Sequence, residues 1–153
     1  MEIFIETPKG SRIKYAWDKT SGTCRAKKLL SAGLTFPYDF GFIPGTTGED
    51  GDPLDVFVIA EFSTYPGITI DARIIGCIEV RQSASGRMIR NDRFLAVPGI
   101  SREFETVKDI GMLPPRFEKE INAFMKAYME AEGKTIQIEG LINAAAALKK
   151  LGR

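Results

Sequence analysis

Residues 49–60 read Glu-Asp-Gly-Asp-Pro-Leu-Asp-Val-Phe-Val-Ile-Ala, an acidic turn that runs directly into an apolar, β-prone segment. Asp50, Asp52 and Asp55 place three carboxylates within six positions of this turn. Like charges this close raise one another's pKa unless a cation lies between them. Oxygen ligands favour a hard divalent cation, most simply Mg²⁺. The stretch therefore predicts a cation site at the start of a buried strand.

Two other readings of the stretch exist. A solvated acidic turn before a strand is common, but Gly51, Pro53 and the apolar segment behind them favour a built site. An EF-hand loop would begin at Asp50 and place Glu61 at its twelfth position. The sixth position of that loop requires Gly, whereas this chain has Asp55 there. The EF-hand reading therefore fails.

The composition limits the possible functions. The chain has 153 residues, of which 44% are hydrophobic and 27% charged, and this predicts a single globular domain over residues 1–153. A formal net charge of +1 gives no indication of nucleic acid as a partner. No apolar run approaches the length of a membrane span and no secretion signal begins the chain. We therefore expect no membrane association and a cytoplasmic location.

The chain contains no histidine and only two cysteines. The absence of histidine excludes Ser-His-Asp and Cys-His nucleophilic systems and zinc bound by histidine. Two cysteines are too few for a disulfide framework or a cysteine-based zinc site. Any chemistry must therefore use carboxylates, Lys, Arg, Tyr and an activated water molecule.

Short β-prone segments separated by turns fill the first two thirds of the chain. Strands are predicted at residues 2–6, 12–17, 24–30, 54–60, 68–81 and 93–97, with further β-prone residues at 36–43 and a hairpin tip at 83–86. Regular spacing of this kind is typical of a closed or nearly closed antiparallel barrel.

The last third of the chain has helical spacing. Apolar residues recur every three or four positions from Phe117 to Tyr128, after a Pro-Pro pair that suits a helix start, and Gly133 ends this helix. Residues 136–138 predict a short strand. An apolar stripe from Leu141 to Leu151 predicts a final helix.

Several segments carry a resemblance to a known family: residues 5–8 (Ile-Glu-Thr-Pro), 13–15 (Ile-Lys-Tyr), 36–43 (Phe-Pro-Tyr-Asp-Phe-Gly-Phe-Ile), 49–56, 95–98 (Leu-Ala-Val-Pro) and the stretch around Tyr128. Through them the chain resembles the soluble family I inorganic pyrophosphatases along nearly its full length. The resemblance implies an α+β, mainly β fold: an OB-like antiparallel β-barrel with two C-terminal helices. It also implies hydrolysis of pyrophosphate to two phosphates with several Mg²⁺ ions, in a homo-oligomer that is commonly a hexamer in bacteria.

The resemblance also implies roles for individual acidic residues. Asp50 and Asp55 would hold metal, and Asp52 would lie beside both the metal and the nucleophilic water and take the proton of that water. Glu6 would support the metals through water. From its position alone, Glu6 is equally an exposed strand charge.

The phosphate contacts implied by the resemblance are Lys14, Lys28, Arg93 and Tyr128. Pyrophosphate is heavily anionic, so attack by water needs charge neutralisation more than covalent help. From position alone, Lys14 is equally an exposed strand charge and Tyr128 a residue of the helix core.

Several positions depart from the family's pattern. Ala16 stands where a carboxylate is expected, and Phe40 replaces a Tyr. Lys28 stands where an Arg clamps phosphate, which keeps the charge but loses the planar fork of two donors. Met129 follows Tyr128 where a Lys is expected.

The largest departure lies between residues 81 and 93, where the family places two metal-binding aspartates just before a Lys. Here the loop is longer, the first aspartate has no counterpart, Asn91 falls at the second, and Arg93 replaces the Lys. Asn91 would coordinate through its amide oxygen, or a one-residue slip would bring Asp92 to the metal. The segment also contains four arginines. They either form a solvated basic hairpin or supply positive charge in place of a metal ion.

These departures leave three functions open. The first is a Mg²⁺-dependent pyrophosphatase with fewer tightly held metals. The second is a hydrolase of another phosphoanhydride, such as a nucleotide or short polyphosphate, and the third a catalytically weak phosphate- or nucleotide-binding barrel. Adjacent carboxylates that face an anion favour the first over the third. Binding of single-stranded nucleic acid would need a basic groove with stacking aromatics, and the acidic loop argues against it.

Overall fold

The computed structural model describes residues 1–153 and contains nine strands and two α-helices. The strands are β1 (Glu2–Thr7), β2 (Ile13–Asp18), β3 (Thr23–Leu29), β4 (Asp39–Phe42), β5 (Asp55–Val58), β6 (Thr69–Ala84), β7 (Arg87–Arg90), β8 (Arg93–Pro98) and β9 (Ile136–Asn143). The helices are α1 (Arg116–Ala131) and α2 (Ala144–Lys150), with a short 3₁₀ helix at Ile110–Met112. Neither α-helix has the length and apolar character required to cross a lipid bilayer.

Five strands form a closed ring in the order β1, β4, β5, β8, β6 and back to β1. β7 and β9 extend the sheet from the long strand β6, while β2 and β3 form a separate hairpin. The predicted mainly-β fold, an OB-like barrel with two C-terminal helices, is confirmed.

One pair in the ring differs from the prediction of an antiparallel barrel. β5 and β8 run parallel, with Asp55 beside Arg93 and Val58 beside Ala96. Parallel neighbours need a crossover connection, and the long strand β6 with β7 supplies it between β5 and β8. The purely antiparallel barrel is therefore wrong at this pair.

Two apolar cores follow from the alternation of side chains along the strands. Val56 and Val58 of β5 belong to the cluster that fills the ring. Phe57, between them, faces outward and packs in a second cluster with Ile121 and Phe124 of α1. The outer face of the ring is thus covered by α1, and this contact brings the end of α1 near the start of β5.

The segment after α1 differs from the prediction. Leu141 and Ile142 were expected to begin the final helix, but both lie on β9 and pair with β6. The prediction of helix over these residues is wrong because the open edge of β6 offers backbone hydrogen bonds that local spacing does not reveal. α2 begins only at Ala144, where the Asn143 side chain accepts a hydrogen bond from the Ala146 N–H.

The hairpin between β6 and β7 has its tip at the predicted position, but the returning strand β7 was not predicted. Ser85 and Gly86 both have positive φ values, 49° and 79°. Two successive residues of this kind form the tight turn whose twist matches a hairpin. β6 therefore extends to Ala84 and the chain re-enters the sheet immediately.

Gly41 leads to a prediction about stability. It lies on β4 between β1 and β5, and a Cβ atom there would lie 1.9 Å from the Phe4 carbonyl oxygen. Because the clash is with backbone on a ring strand, we expect Gly41→Ala to lower the free energy of unfolding by about 3 kcal/mol. Urea unfolding curves measure this change.

Gly140→Ala is the matched control. Gly140 lies on β9, and a Cβ atom there meets no atom within 4 Å. We expect its free energy of unfolding to stay within about 0.5 kcal/mol of the wild type. Equal urea midpoints for the two variants would contradict the steric argument.

Candidate active site

A cavity of about 410 Å³ opens among the loop before β5, the β2–β3 hairpin, the start of β8 and the end of α1. Its acidic lining residues are Glu6, Asp50, Asp52, Asp55 and Glu132, and its basic ones are Lys14, Lys19, Lys28, Arg93 and Lys134. Asn91 and Tyr128 line it as well. Of the residues predicted from the sequence, all but Asp92 meet here.

The loop before β5 holds two exposed aspartates in a fixed turn. The Asp52 N–H donates to the Asp50 carboxylate over 3.0 Å, and the Gly48 N–H donates to the Asp52 carbonyl over 2.7 Å. Gly51 lies between them with φ 88°, a conformation that glycine adopts without steric cost. The Asp52 carboxylate itself makes no hydrogen bond to the protein, so its oxygens are free for water or a ligand.

Asp55 lies beside Arg93 at the starts of the parallel strands β5 and β8. One Arg93 guanidinium nitrogen is 3.0 Å from an Asp55 carboxylate oxygen, and the two side chains are 11% and 22% exposed. Burial raises the pKa of Asp55, while Arg93 and Lys14 oppose that rise. Asp50 and Asp52 add to it through repulsion.

Glu6 joins the acidic side of the cavity from β1. Its carboxylate accepts a hydrogen bond of 2.8 Å from the Trp17 N–H on β2. Burial is the main cause that raises the pKa of Glu6, and the charges of Asp55 and Asp52 add to it. The acidic side chains therefore repel one another across the cavity.

The β2–β3 hairpin supplies two lysines to the same cavity. Lys14 and Lys28 are cross-strand partners. Their ammonium nitrogens lie 5.5 and 4.9 Å from the centre of the Tyr128 ring, within the range of cation–π attraction. Lys28 also forms an ion pair with Glu132, just beyond the end of α1.

The Tyr128 hydroxyl is buried and has no hydrogen-bond partner. A buried donor of this kind is rare in proteins and calls for an explanation. Because Tyr128 lines the cavity, an oxygen atom of a bound ligand would provide the missing acceptor.

Asp92 points away from this cavity and lines a second one of about 360 Å³. Its carboxylate accepts from the Val80 N–H and from Arg90, both at 2.9 Å, and from Lys150 at 2.5 Å. Successive residues of an extended chain face opposite sides, so Asn91 reaches the main cavity instead. The slip that would bring Asp92 to the site is absent, and the expectation of Asp92 as a ligand there is wrong. A metal-binding role for Asn91 stays a prediction.

The other arginines of the hairpin also lie outside the main cavity. Arg81 and Arg90 bind Glu139 at 3.0 and 2.7 Å, and Arg87 is exposed. Solvation, as expected for a basic hairpin, thus describes Arg87, whereas Arg81 and Arg90 are paired with acidic side chains. Arg93 alone carries positive charge from this segment into the main cavity.

Four polar residues of the cavity were not predicted: Lys19, Gln82, Glu132 and Lys134. Glu132 follows Tyr128 by four positions, so helical spacing from Tyr128 would have placed it on the same face. Gln82 accepts a hydrogen bond of 3.3 Å from Arg93. Its position depends on the length of β6, which the turn signals did not reveal.

Ala16, Phe40 and Met129 also line the cavity. These are positions where the sequence departs from the family's pattern. The structure thus places these losses of a carboxylate, a hydroxyl and a cation in the lining of the cavity itself.

The donor set of the cavity fits a hard divalent cation. Every acidic side chain here offers oxygen, and burial, with repulsion among the carboxylates added to it, raises the pKa of Glu6 and Asp55. No three acidic side chains converge on one point as a closed cage. Mg²⁺ usually takes only one or two carboxylates and completes its shell with water and substrate oxygens. The open arrangement suits that mode of binding.

Comparison with known proteins agrees with this geometry. The sequence model of a family described as inorganic pyrophosphatase matches residues 3–153. The inorganic pyrophosphatase of Sulfolobus acidocaldarius is 35% identical over 99% of this chain and 87% of its own length. That of Leifsonia xyli is 36% identical over 97% of this chain and 89% of its own.

Solved structures give the same result. The inorganic pyrophosphatase of Helicobacter pylori superposes with a TM-score of 0.90 at 30% identity, over 99% of this chain and 89% of its own. The inorganic pyrophosphatase of Thermus thermophilus superposes with a TM-score of 0.89 at 29% identity, over 97% of this chain and 85% of its own. The chain therefore belongs to the inorganic pyrophosphatase family.

Proposed function

We propose that this protein hydrolyses inorganic pyrophosphate to two phosphate ions with Mg²⁺ as its cofactor. The observation that carries the proposal is the cavity in which Glu6 and three loop aspartates share one space with Lys14, Lys28 and Arg93. A polyanionic substrate with its counter-cations needs both kinds of charge within a few ångströms. The names of the relatives support the choice of pyrophosphate as substrate.

The basic side chains would bind and orient the diphosphate. Lys14 and Lys28 are already drawn together over the Tyr128 ring, so little conformational freedom is lost when they bind a phosphate group. The buried Tyr128 hydroxyl would donate to a phosphate oxygen. Lys28 would exchange Glu132 for phosphate as its partner.

The acidic side chains would hold the cations. Asp50, Asp52 and Asp55 are the proposed ligands, with Glu6 acting through water and Asn91 offering a neutral amide oxygen. The chemistry that Mg²⁺ supplies when bound is neutralisation of phosphate charge and a lower pKa for water. The chain's own contribution is a fixed set of oxygens at one side of the cavity.

Asp52 is the proposed general base. It alone among the four carboxylates has no hydrogen bond or ion pair with a protein group, whereas the others bind Asp52 N–H, Trp17 N–H or Arg93. A general base must be free to accept a hydrogen bond from the water that it deprotonates. The water oxygen then bonds to one phosphorus atom, the bridging P–O bond breaks, and the leaving phosphate keeps that electron pair.

A longer phosphoanhydride is the second candidate substrate. Lys19 and Lys134 line the cavity in addition to the predicted phosphate contacts. Two more cations at the same site would suit a third phosphate group, as in tripolyphosphate or a nucleoside triphosphate.

The proposal includes a cytoplasmic homo-oligomer. The location rests on the resemblance to the soluble family I pyrophosphatases. For the assembly, Leu29, Tyr65, Ile100 and Met112 are large apolar side chains more than half exposed. Contact between subunits would remove such surface from water, and a hexamer is the number implied by the resemblance.

Phosphate release from pyrophosphate, ATP and tripolyphosphate, each with and without Mg²⁺, tests the proposed function. We expect pyrophosphate to be the preferred substrate, because the two hairpin lysines and Arg93 match two phosphate groups. Chelation with EDTA should abolish turnover, and added Mg²⁺ should restore it. A preference for the longer substrates would favour the second candidate, and no release from any of them would leave a binding protein.

Asp52→Asn tests the assignment of the base. The amide has the same shape but cannot take a proton, so we expect turnover to fall at least about 100-fold. The thermal unfolding midpoint should stay unchanged because the side chain is exposed and free of protein partners. Turnover like that of the wild type would remove Asp52 from this role.

Glu49→Gln is the matched control for this variant. Glu49 lies on the same loop, but its carboxylate accepts from the Arg90 N–H and lines the second cavity. We expect turnover within about twofold of the wild type, since a loss of loop charge alone does not touch the reaction.

A further inference from the structure

A buried carboxylate outside the main cavity holds the entry to β8. The Asp92 side chain is only 7% exposed. Arg90 at the end of β7 and Lys150 at the end of α2 bind it over 2.9 and 2.5 Å, and the Val80 N–H of β6 donates to it over 2.9 Å. Because each donor comes from a different element of the fold, the position of this carboxylate is fixed.

Asp92 also fills a gap between two stretches of paired strand. β6 pairs with β7 from Arg81 onward and with β8 as far as Ile78, so Val80 lies between the two stretches. The Val80 carbonyl accepts from the Asn91 N–H over 2.8 Å, and the Asp92 side chain supplies the acceptor for the Val80 N–H. Val80 is fully buried, and a buried N–H without an acceptor is costly. The Asp92 side chain therefore ties the chain to β6 at the point where β7 ends and β8 begins.

The residues on either side of Asp92 both line the main cavity. Asn91 and Arg93 face it because successive residues of an extended chain point to opposite sides, and Asp92 faces the second cavity. The anchored side chain thus sets the direction of its two neighbours. None of the three donors to Asp92 is a proposed ligand of metal or phosphate, so the anchor is separate from the ligands that it orients.

Helix α2 takes part in this anchor through Lys150. Its ammonium nitrogen lies 2.6 Å from a Glu79 carboxylate oxygen as well as 2.5 Å from Asp92. The preceding residue, Lys149, is exposed, and its side chain has no ion-pair partner. The two lysines therefore carry the same charge on the same turn of helix but differ in their contact with Asp92.

We propose that Asp92 is a positioning residue of the active site. Anchored from β6, β7 and α2, it keeps Asn91 and Arg93 turned into the main cavity, where Arg93 binds a phosphate group. Asp92 itself touches neither substrate nor metal. The inference rests on the proposed function, because it takes the main cavity to bind and hydrolyse pyrophosphate.

Steady-state kinetics of pyrophosphate hydrolysis by Asp92→Ala test the proposal. The truncation leaves the Val80 N–H and two cations without their acceptor, so the segment that carries Arg93 can shift. We expect KM to rise about tenfold and kcat to stay within about threefold of the wild type, because a phosphate contact is displaced while the base Asp52 is not touched. A lower kcat at unchanged KM would indicate only a smaller folded fraction and would overturn the proposal, as would unchanged kinetics.

Lys150→Met separates the anchor from a general loss of charge. We expect KM to rise about threefold, since one of the three donors to Asp92 is lost. Lys149→Met is the matched control, because it removes the same charge from the same helix, and its KM should equal that of the wild type. Equal KM values for the two variants would overturn the proposal.

Asp92→Asn covers the case in which Asp92→Ala fails to fold. The amide oxygen can still accept from the Val80 N–H, but the amide nitrogen cannot accept from Lys150, so we expect a KM about threefold above that of the wild type. Lys150→Met should add nothing in this background, as a double-mutant cycle requires when two side chains act through one contact. A further rise in KM would show independent effects and overturn the proposal.

The same assay separates this inference from the proposed function. A wild type that releases no phosphate from pyrophosphate would refute the proposed function and remove the site that Asp92 serves. Wild-type turnover with none of the expected changes in KM would overturn the positioning role alone.

Discussion

The parallel pairing of β5 with β8 is the constraint on which the site depends. It starts both strands at the same edge of the ring, so the acidic loop that enters β5 meets the segment that enters β8. Asp55 and Arg93 are in contact for that reason alone, although many residues separate them along the chain. An antiparallel pairing would have sent the two entry segments to opposite ends of the strands, with no shared cavity between them.

The outer face of the ring supplies the second condition. Phe57 packs against Phe124 of α1 in one cluster, and both side chains also line the cavity. The same contact that stabilises the helix on the ring therefore fixes where Tyr128 and Glu132 lie. Burial of apolar surface here positions polar side chains of the cavity, so core packing and site geometry are not separable in this protein.

The acidic turn and its strand were predictable from the sequence because the signal is local. Charge spacing, Gly51 and the apolar residues that follow are all contained in residues 49–60. The orientation of the Asp92 side chain was not predictable from the sequence. It depends on the length of the hairpin and on the contact with Lys150, which is 58 positions away.

The apolar stripe that begins at Leu141 predicted a helix where the chain forms a strand, and the reason is related. Helical spacing depends only on residues within one segment. The strand edge to which residues 141 and 142 are hydrogen-bonded belongs to the distant strand β6. The parallel direction of β8 escaped prediction in the same way, since it follows from a crossover and not from any single strand. Sequence reasoning therefore identified most of the polar residues that line the cavity, but not the contacts that decide which of them are free.

The charges of the cavity explain why cations belong in the proposed reaction. Five acidic and five basic side chains line it, so its formal charge is zero before anything binds. Lys28 and Arg93 are moreover paired with Glu132 and Asp55. A neutral cavity has little attraction for a heavily charged anion. Divalent cations at Asp50 and Asp52 would make it positive, and phosphate would then compete for the two paired side chains, which links binding of the metal to binding of the substrate.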